Sequence, residues 1–160
     1  MRTIRVLAGL ALAVAALSAT PAGARSPAAA EYSIAVSRIC AGALLFDHPH
    51  HMGTRSDAVA VARDIRLSTA RRLKHVAAVA VPPELQSTSS RWIASQRRLA
   101  AMYARIWVRI NDAIDGARTP AQKATLPKRL ERLVHMPDRL RHAAGRLELA
   151  LAVPDCTGGG

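Results

Sequence analysis

Apolar residues recur three and four positions apart along four stretches of this chain, the spacing that gathers them on one face of an α-helix. The first stretch, about Pro27 to Phe46, carries Tyr32, Val36, Ile39, Ala43 and Phe46, with Ser26 ahead of it and Pro27 in its first turn. Serine is a favoured helix cap and proline is tolerated at the first helical position. The second, about Ser56 to Ala80, carries Val59, Ala62, Ile65, Thr69, Leu73, Val76 and Val79, and Val81-Pro82-Pro83 stops it. Two consecutive prolines cannot continue a helix. The third, about Pro83 to Asp115, has its strongest seam at Trp92, Leu99, Tyr103, Ile106, Ile110 and Ala113, and Gly116 follows as a predicted C-terminal cap.

Thr119-Pro120-Ala121-Gln122 then reads as a capping box that starts the fourth helix. Its seam runs through Leu126, Leu130, Leu133, Leu140, Ala144, Leu147 and Leu151, a seven-residue repeat interrupted by Pro137 on the seam itself. The pattern predicts a kink between Leu133 and Pro137, and Pro127 is a second point at which the helix could divide. Short links between amphipathic helices favour antiparallel neighbours. The expected fold is therefore all-α, an up-down four-helix bundle with a kinked fourth helix. Aromatic residues make up only 3% of the chain and no alternation of period two is sustained, which argues against a β-sandwich.

The N-terminus departs from this rhythm. Arg2 and Arg5 precede the apolar run Val6 to Leu17, which ends in Ala22-Gly23-Ala24. A run this short falls below the about 20 residues needed to cross a bilayer, and small-x-small is the pattern that signal peptidase cuts. The expected organisation is a signal peptide over 1–24 and a single helical domain over 25–160. The localisation that follows is extracytoplasmic, either secreted or in a periplasm-like cell-envelope space. Later apolar stretches carry an arginine every turn or two, so no transmembrane segment is expected after cleavage.

Export changes the meaning of Cys40 and Cys156, the only cysteines in the chain. In an oxidising compartment an even count means paired thiols. Closing a loop of this length removes about 5 kcal/mol of freedom from the unfolded chain in the entropic account. Cys40 lies well inside the first helix, so the tail Val153-Pro154-Asp155-Cys156 must fold back onto it, with a Cα separation of about 4.4 to 6.8 Å.

Three short motifs also carry a resemblance. Ile39-Cys40, Val81-Pro82-Pro83-Glu84-Leu85 and Val153-Pro154-Asp155-Cys156 resemble a family of small exported helical proteins of high-GC Gram-positive bacteria. Its members share a leader, a first-helix cysteine, a proline break at mid-chain and a final cysteine after a short apolar turn. The resemblance implies a bundle and a bridge, and carries over no catalytic residue. The chain departs from the pattern at Leu149-Ala150-Leu151-Ala152, where a glycine is common before the last cysteine.

Charge adds a surface. The chain carries 23 basic and 11 acidic residues; without Arg2 and Arg5 the balance is near +10. Twenty of the basic residues are arginine, a bias that a GC-rich genome would also produce. Their placement is less easily set aside. Arg91, Arg98 and Arg105 each precede a seam residue of the third helix, and Arg132, Arg139 and Arg146 do the same in the fourth. Such side chains lay their stems along apolar surface and hold their heads in water. Outside a cell, a strip of this kind would engage anionic lipid, wall polymer or an acidic protein. Nucleic acid is disfavoured, because no stacking aromatics interleave the arginines. The plainer reading is a solvated face partly neutralised by Glu131, Asp138 and Glu148.

Candidate chemistry is sparse. Asp47-His48-Pro49-His50-His51-Met52 gathers three imidazoles, a carboxylate and a thioether, donors that suit a transition metal. His48, His50 and His51 are the metal candidates, and a solvated polar turn is the ordinary alternative. His135 and His142 are seven apart and would share a helical face, with His75 nearby, a spacing that could flank a haem. No Gly-rich phosphate loop, nucleophile elbow or HExxH motif is present. Asp112 and Asp115 are the closest pair of carboxylates at helical spacing, and they lie at a helix end. The sequence therefore predicts a non-catalytic binding or scaffold protein without a cofactor, with metal or haem binding as the alternative.

Overall fold

A computed structural model describes residues 25–41, 54–153 and 156. Among them the chain forms α1 (Pro27–Ala41), α2 (Arg55–Ala77), a single 3-10 turn (Pro83–Leu85), α3 (Gln86–Asp115), α4 (Pro120–Val134) and α5 (Asp138–Leu151). The expected fold is present: an all-helical, four-helix bundle whose last helix is broken into α4 and α5 and whose first helix is bridged to the C-terminal tail. The leader over 1–24, the end of the first helix beyond Ala41 and the loop that follows it lie outside the described residues.

Local chemistry sets the helix ends. Ser26 Oγ accepts the Ala29 N–H at 3.1 Å. A capping box joins Thr54 to Asp57 and another joins Thr119 to Gln122, each satisfying backbone donors that the first turn leaves unpaired. α2 ends at Ala77 rather than Ala80, in a last turn where the Ala78 and Val79 N–H groups bond back to His75 O and Val76 O, and the backbone is extended at Pro82, with φ −57° and ψ 143°. Gly116 occupies the C-cap of α3 but with right-handed φ and ψ of −78° and −13°. The predicted cap is present, and glycine serves it by its size: a Cβ there would sit 2.9 Å from the Asp112 carbonyl oxygen. Pro137 is fully buried and ends the helical ladder as the seam predicts, whereas Pro127 is absorbed inside α4.

α3, with 30 residues and about 45 Å long, is the spine. It packs against α2, α4 and α5, while α1 lies on α2. The main core joins Tyr32, Val36 and Cys40 of α1 to Leu73 and Val76 of α2, Trp92 of α3, and Leu151, Val153 and Cys156 at the chain's end. Each large apolar side chain withdrawn from water there stabilises the fold by about 1.5–3 kcal/mol. A smaller cluster of Val61, Ile65 and Ala100, flanked by Tyr103 and Trp107, closes the other end of the α2–α3 pair. α4 contributes no fully buried residue; its seam leucines are only half-buried against α3. Val59, expected on the seam, is 52% exposed. Ala58 is buried in its place, and the buried stripe then continues through Ala62, Ile65, Thr69, Leu73 and Val76 as the pattern predicts.

The tail reverses in a Schellman turn. Ala152 adopts left-handed φ 50° and ψ 45°, its N–H bonds to Leu149 O, and Val153 N–H reaches back to Glu148 O at 3.0 Å. Glycine usually takes this left-handed position. The reversal delivers Cys156 to Cys40, with Cα atoms 5.0 Å apart and a bridge closed across 116 positions.

Candidate anion-binding surface

All six seam-flanking arginines are exposed: Arg91, Arg98 and Arg105 on α3, Arg132 on α4, and Arg139 and Arg146 on α5. α3 packs on both α4 and α5, so the two sets occupy neighbouring helices. Arg105 Nε donates to Ala101 O and Arg132 Nε to Lys128 O, contacts within a helix that leave the outer guanidinium nitrogens turned to solvent. None of the six makes an ion pair with an acid among the described residues. Of the three expected neutralising acids, Glu131 is exposed on α4 and the other two are otherwise engaged. Asp138 takes His135 at 2.9 Å and Arg141 at 3.6 Å, and Glu148 is not on the surface at all.

Glu148 is 6% exposed and belongs to a polar cluster that the sequence reading did not find. Its Oε1 accepts Trp92 Nε1–H at 3.2 Å and Gln96 Nε2–H at 3.0 Å. Arg72 faces it, and Arg72 Nη1 donates to the carbonyl of Cys156 at 3.1 Å. Burial pushes the Arg72 guanidinium down from its ordinary value, and the Glu148 charge opposes that. The cluster fastens α2, α3, α5 and the bridged tail together. Gln96 was its sequence signal, a polar residue where the rhythm from Trp92 to Leu99 calls for an apolar one.

A concave feature lies elsewhere. Between α2 and α3 runs an open groove of about 510 Å³, into which Arg105 faces together with three arginines outside the seam-flanking sets, Arg63, Arg66 and Arg109. Their signal was spacing: Arg63 and Arg66 lie three apart on one helix face, and Arg105 and Arg109 lie four apart on another.

The remaining candidates fare differently. His48, His50 and His51 fall outside the described residues. Among those described, no group of three or more His, Cys, Asp and Glu is arranged to hold a metal. His135 and His142 do not share a helix as expected, because the break at Pro137 separates α4 from α5 and His135 Nδ1 lies 2.9 Å from Asp138 Oδ2. His75 is exposed near the end of α2. Asp115 accepts from Asn111 Nδ2 at 2.9 Å, a contact that secures the last turn of α3. No described helix is long and apolar enough to cross a membrane. Compared with protein-family models, with curated proteins and with solved structures, the chain matches none of them.

Proposed function

We propose that this is an exported, non-catalytic bundle of the cell envelope that binds an anionic partner through the arginine faces of α3, α4 and α5. One observation carries the reading: six exposed arginines recur along neighbouring helices with no acidic partner among the described residues. Leaving so many like charges unneutralised costs stability through self-repulsion, a cost that a polyanionic partner removes. The bridge between Cys40 and Cys156 supports the extracytoplasmic setting that the leader pattern suggests.

The test is sedimentation of the purified, oxidised protein with phosphatidylglycerol vesicles and with phosphatidylcholine vesicles. Binding to the anionic vesicles at low salt, and its loss as added salt shortens the screening length to about 3 Å near 1 M, is the expected result. Replacing Arg91, Arg98, Arg105, Arg132, Arg139 and Arg146 together by glutamine should abolish it. Absence of binding at low salt, or binding indifferent to salt, overturns the proposal.

A further inference from the structure

We infer that the groove between α2 and α3 is a binding site for a single-chain anionic amphiphile, an acyl chain ending in a carboxylate. The inference rests on the reading of the bundle as an anion-binding protein and gives it a defined ligand and place.

The groove exists because small residues face each other across the helix pair. Ala62 of α2 and Ala104 of α3, 8% and 1% exposed, form its floor; larger side chains at these positions would fill it. Val59, Leu67 and Val108 form apolar walls. Val59 and Leu67 remain 52% and 43% exposed, hydrocarbon that an otherwise charged helix surface leaves in water. Above them stand Arg63 and Arg66 from one helix and Arg105 and Arg109 from the other. No acidic residue lines the groove, and none of the four guanidinium groups is ion-paired among the described residues.

These two properties select a ligand class jointly. Hydrocarbon alone would suit any apolar molecule, and guanidinium groups alone would suit any anion. A trough with apolar walls under a cationic rim fits a molecule that is apolar along its length and anionic at one end. The planar fork of arginine matches a carboxylate with two parallel hydrogen bonds. The volume lies within the about 300–1,000 Å³ typical of small-molecule sites. The hydrocarbon within a ligand's reach is that of the walls, Val59 and Leu67, which stand exposed beside the four arginines. Aromatic side chains are absent from the lining, which argues against a stacked base.

The experiment is calorimetric titration of the oxidised protein with dodecanoate below its micelle concentration, alongside dodecan-1-ol and acetate. Saturable one-to-one binding of dodecanoate is expected, about tenfold or more weakened when the carboxylate is replaced by the alcohol. Acetate should not compete. R63Q/R109Q and V59N/L67N should each weaken binding by a similar factor. All four positions are exposed, and unchanged helical circular dichroism will show that the variants fold. R132Q/R139Q/R146Q should leave dodecanoate affinity unchanged. The inference is overturned if dodecanoate does not bind, if the alcohol binds equally, if acetate displaces the chain, or if the α4–α5 triple variant loses as much affinity as R63Q/R109Q. Salt-sensitive vesicle binding without dodecanoate binding removes the groove site alone. Dodecanoate binding without vesicle binding removes the broader surface reading and leaves the groove.

Discussion

Ala152 holds a left-handed conformation, φ 50°, in which its Cβ crowds the neighbouring carbonyl at a cost of about 1–2 kcal/mol. Ala152→Gly relieves that contact, and the looser unfolded chain takes back part of the gain. The expected net effect is a stabilisation of about 0.5–1 kcal/mol, read as a higher denaturant midpoint at unchanged slope. Glu148 is the opposite case, a buried carboxylate with two neutral donors and one cation around it. Glu148→Leu strands the Trp92 and Gln96 donors and removes the charge facing Arg72, and should cost about 1–3 kcal/mol. The double variant R72M/E148L should be less destabilised than the sum of its singles by about 1–3 kcal/mol, a difference that equilibrium unfolding of the four proteins measures. At the start of α1, Ser26 Oγ donates to Glu84 Oε1, and that bond holds the Glu84 carboxyl below its ordinary value of 4.5. The folded pKa is therefore the lower one. Its contribution to stability is complete above the unfolded value and fades as pH falls through the folded value. The melting-temperature gap between the protein and its Glu84→Gln variant should accordingly be present at neutral pH and close in acid.

Among the elements, α4 is held least. It has no fully buried residue and packs on α3 alone among the stronger helix pairs, whereas α5 buries Ala144, Glu148 and Leu151. Local opening draws on the least buried parts of a fold. Amides of α4 should therefore exchange with deuterium well before those of α3 and α5, with the turn 135–137 as the boundary. Thr119→Ala, at an expected cost of about 1 kcal/mol to the helix, should speed α4 further without moving α3. The contrast also shows what was legible in the sequence. The breaks at Pro82 and Pro137, the Thr119 box and the Ser26 cap were readable because each rests on chemistry between residues a few positions apart. The pairing of Gln96 with Glu148 was not, since 52 positions separate them: Gln96 interrupts the seam without saying what it meets, and Glu148 alone looks like surface. Val59 was placed on the seam because the stripe can begin at either of two adjacent apolar residues, and packing buries Ala58 rather than Val59. The groove was hidden for a related reason: it belongs to neither helix, and arises where alanines of both meet.

For the molecule as a whole, the bridge is the largest single constraint. Replacing both cysteines by serine should lower stability by up to about 5 kcal/mol, the freedom regained by an unfolded chain with so long a loop released; chemical unfolding of the oxidised protein and the variant compares them directly. The position of Cys40 has a consequence of another kind. Because it lies near the end of α1 rather than at its start, everything from Cys40 to Cys156 is a covalent ring, and α1 before that point is an arm attached to the ring at one end. The arm is laid down without a covalent tie, by the burial of Tyr32 and Val36 in the main core and by hydrogen bonds of Tyr32 Oη with Ser89 Oγ at 2.7 Å, Arg25 with the carbonyls of Leu149 and Ala150, and Ser33 with that of Leu151. A protease cutting once anywhere in the ring leaves one molecule. A single cut ahead of Cys40 sheds the arm, and with it the cover over Trp92 and Val76.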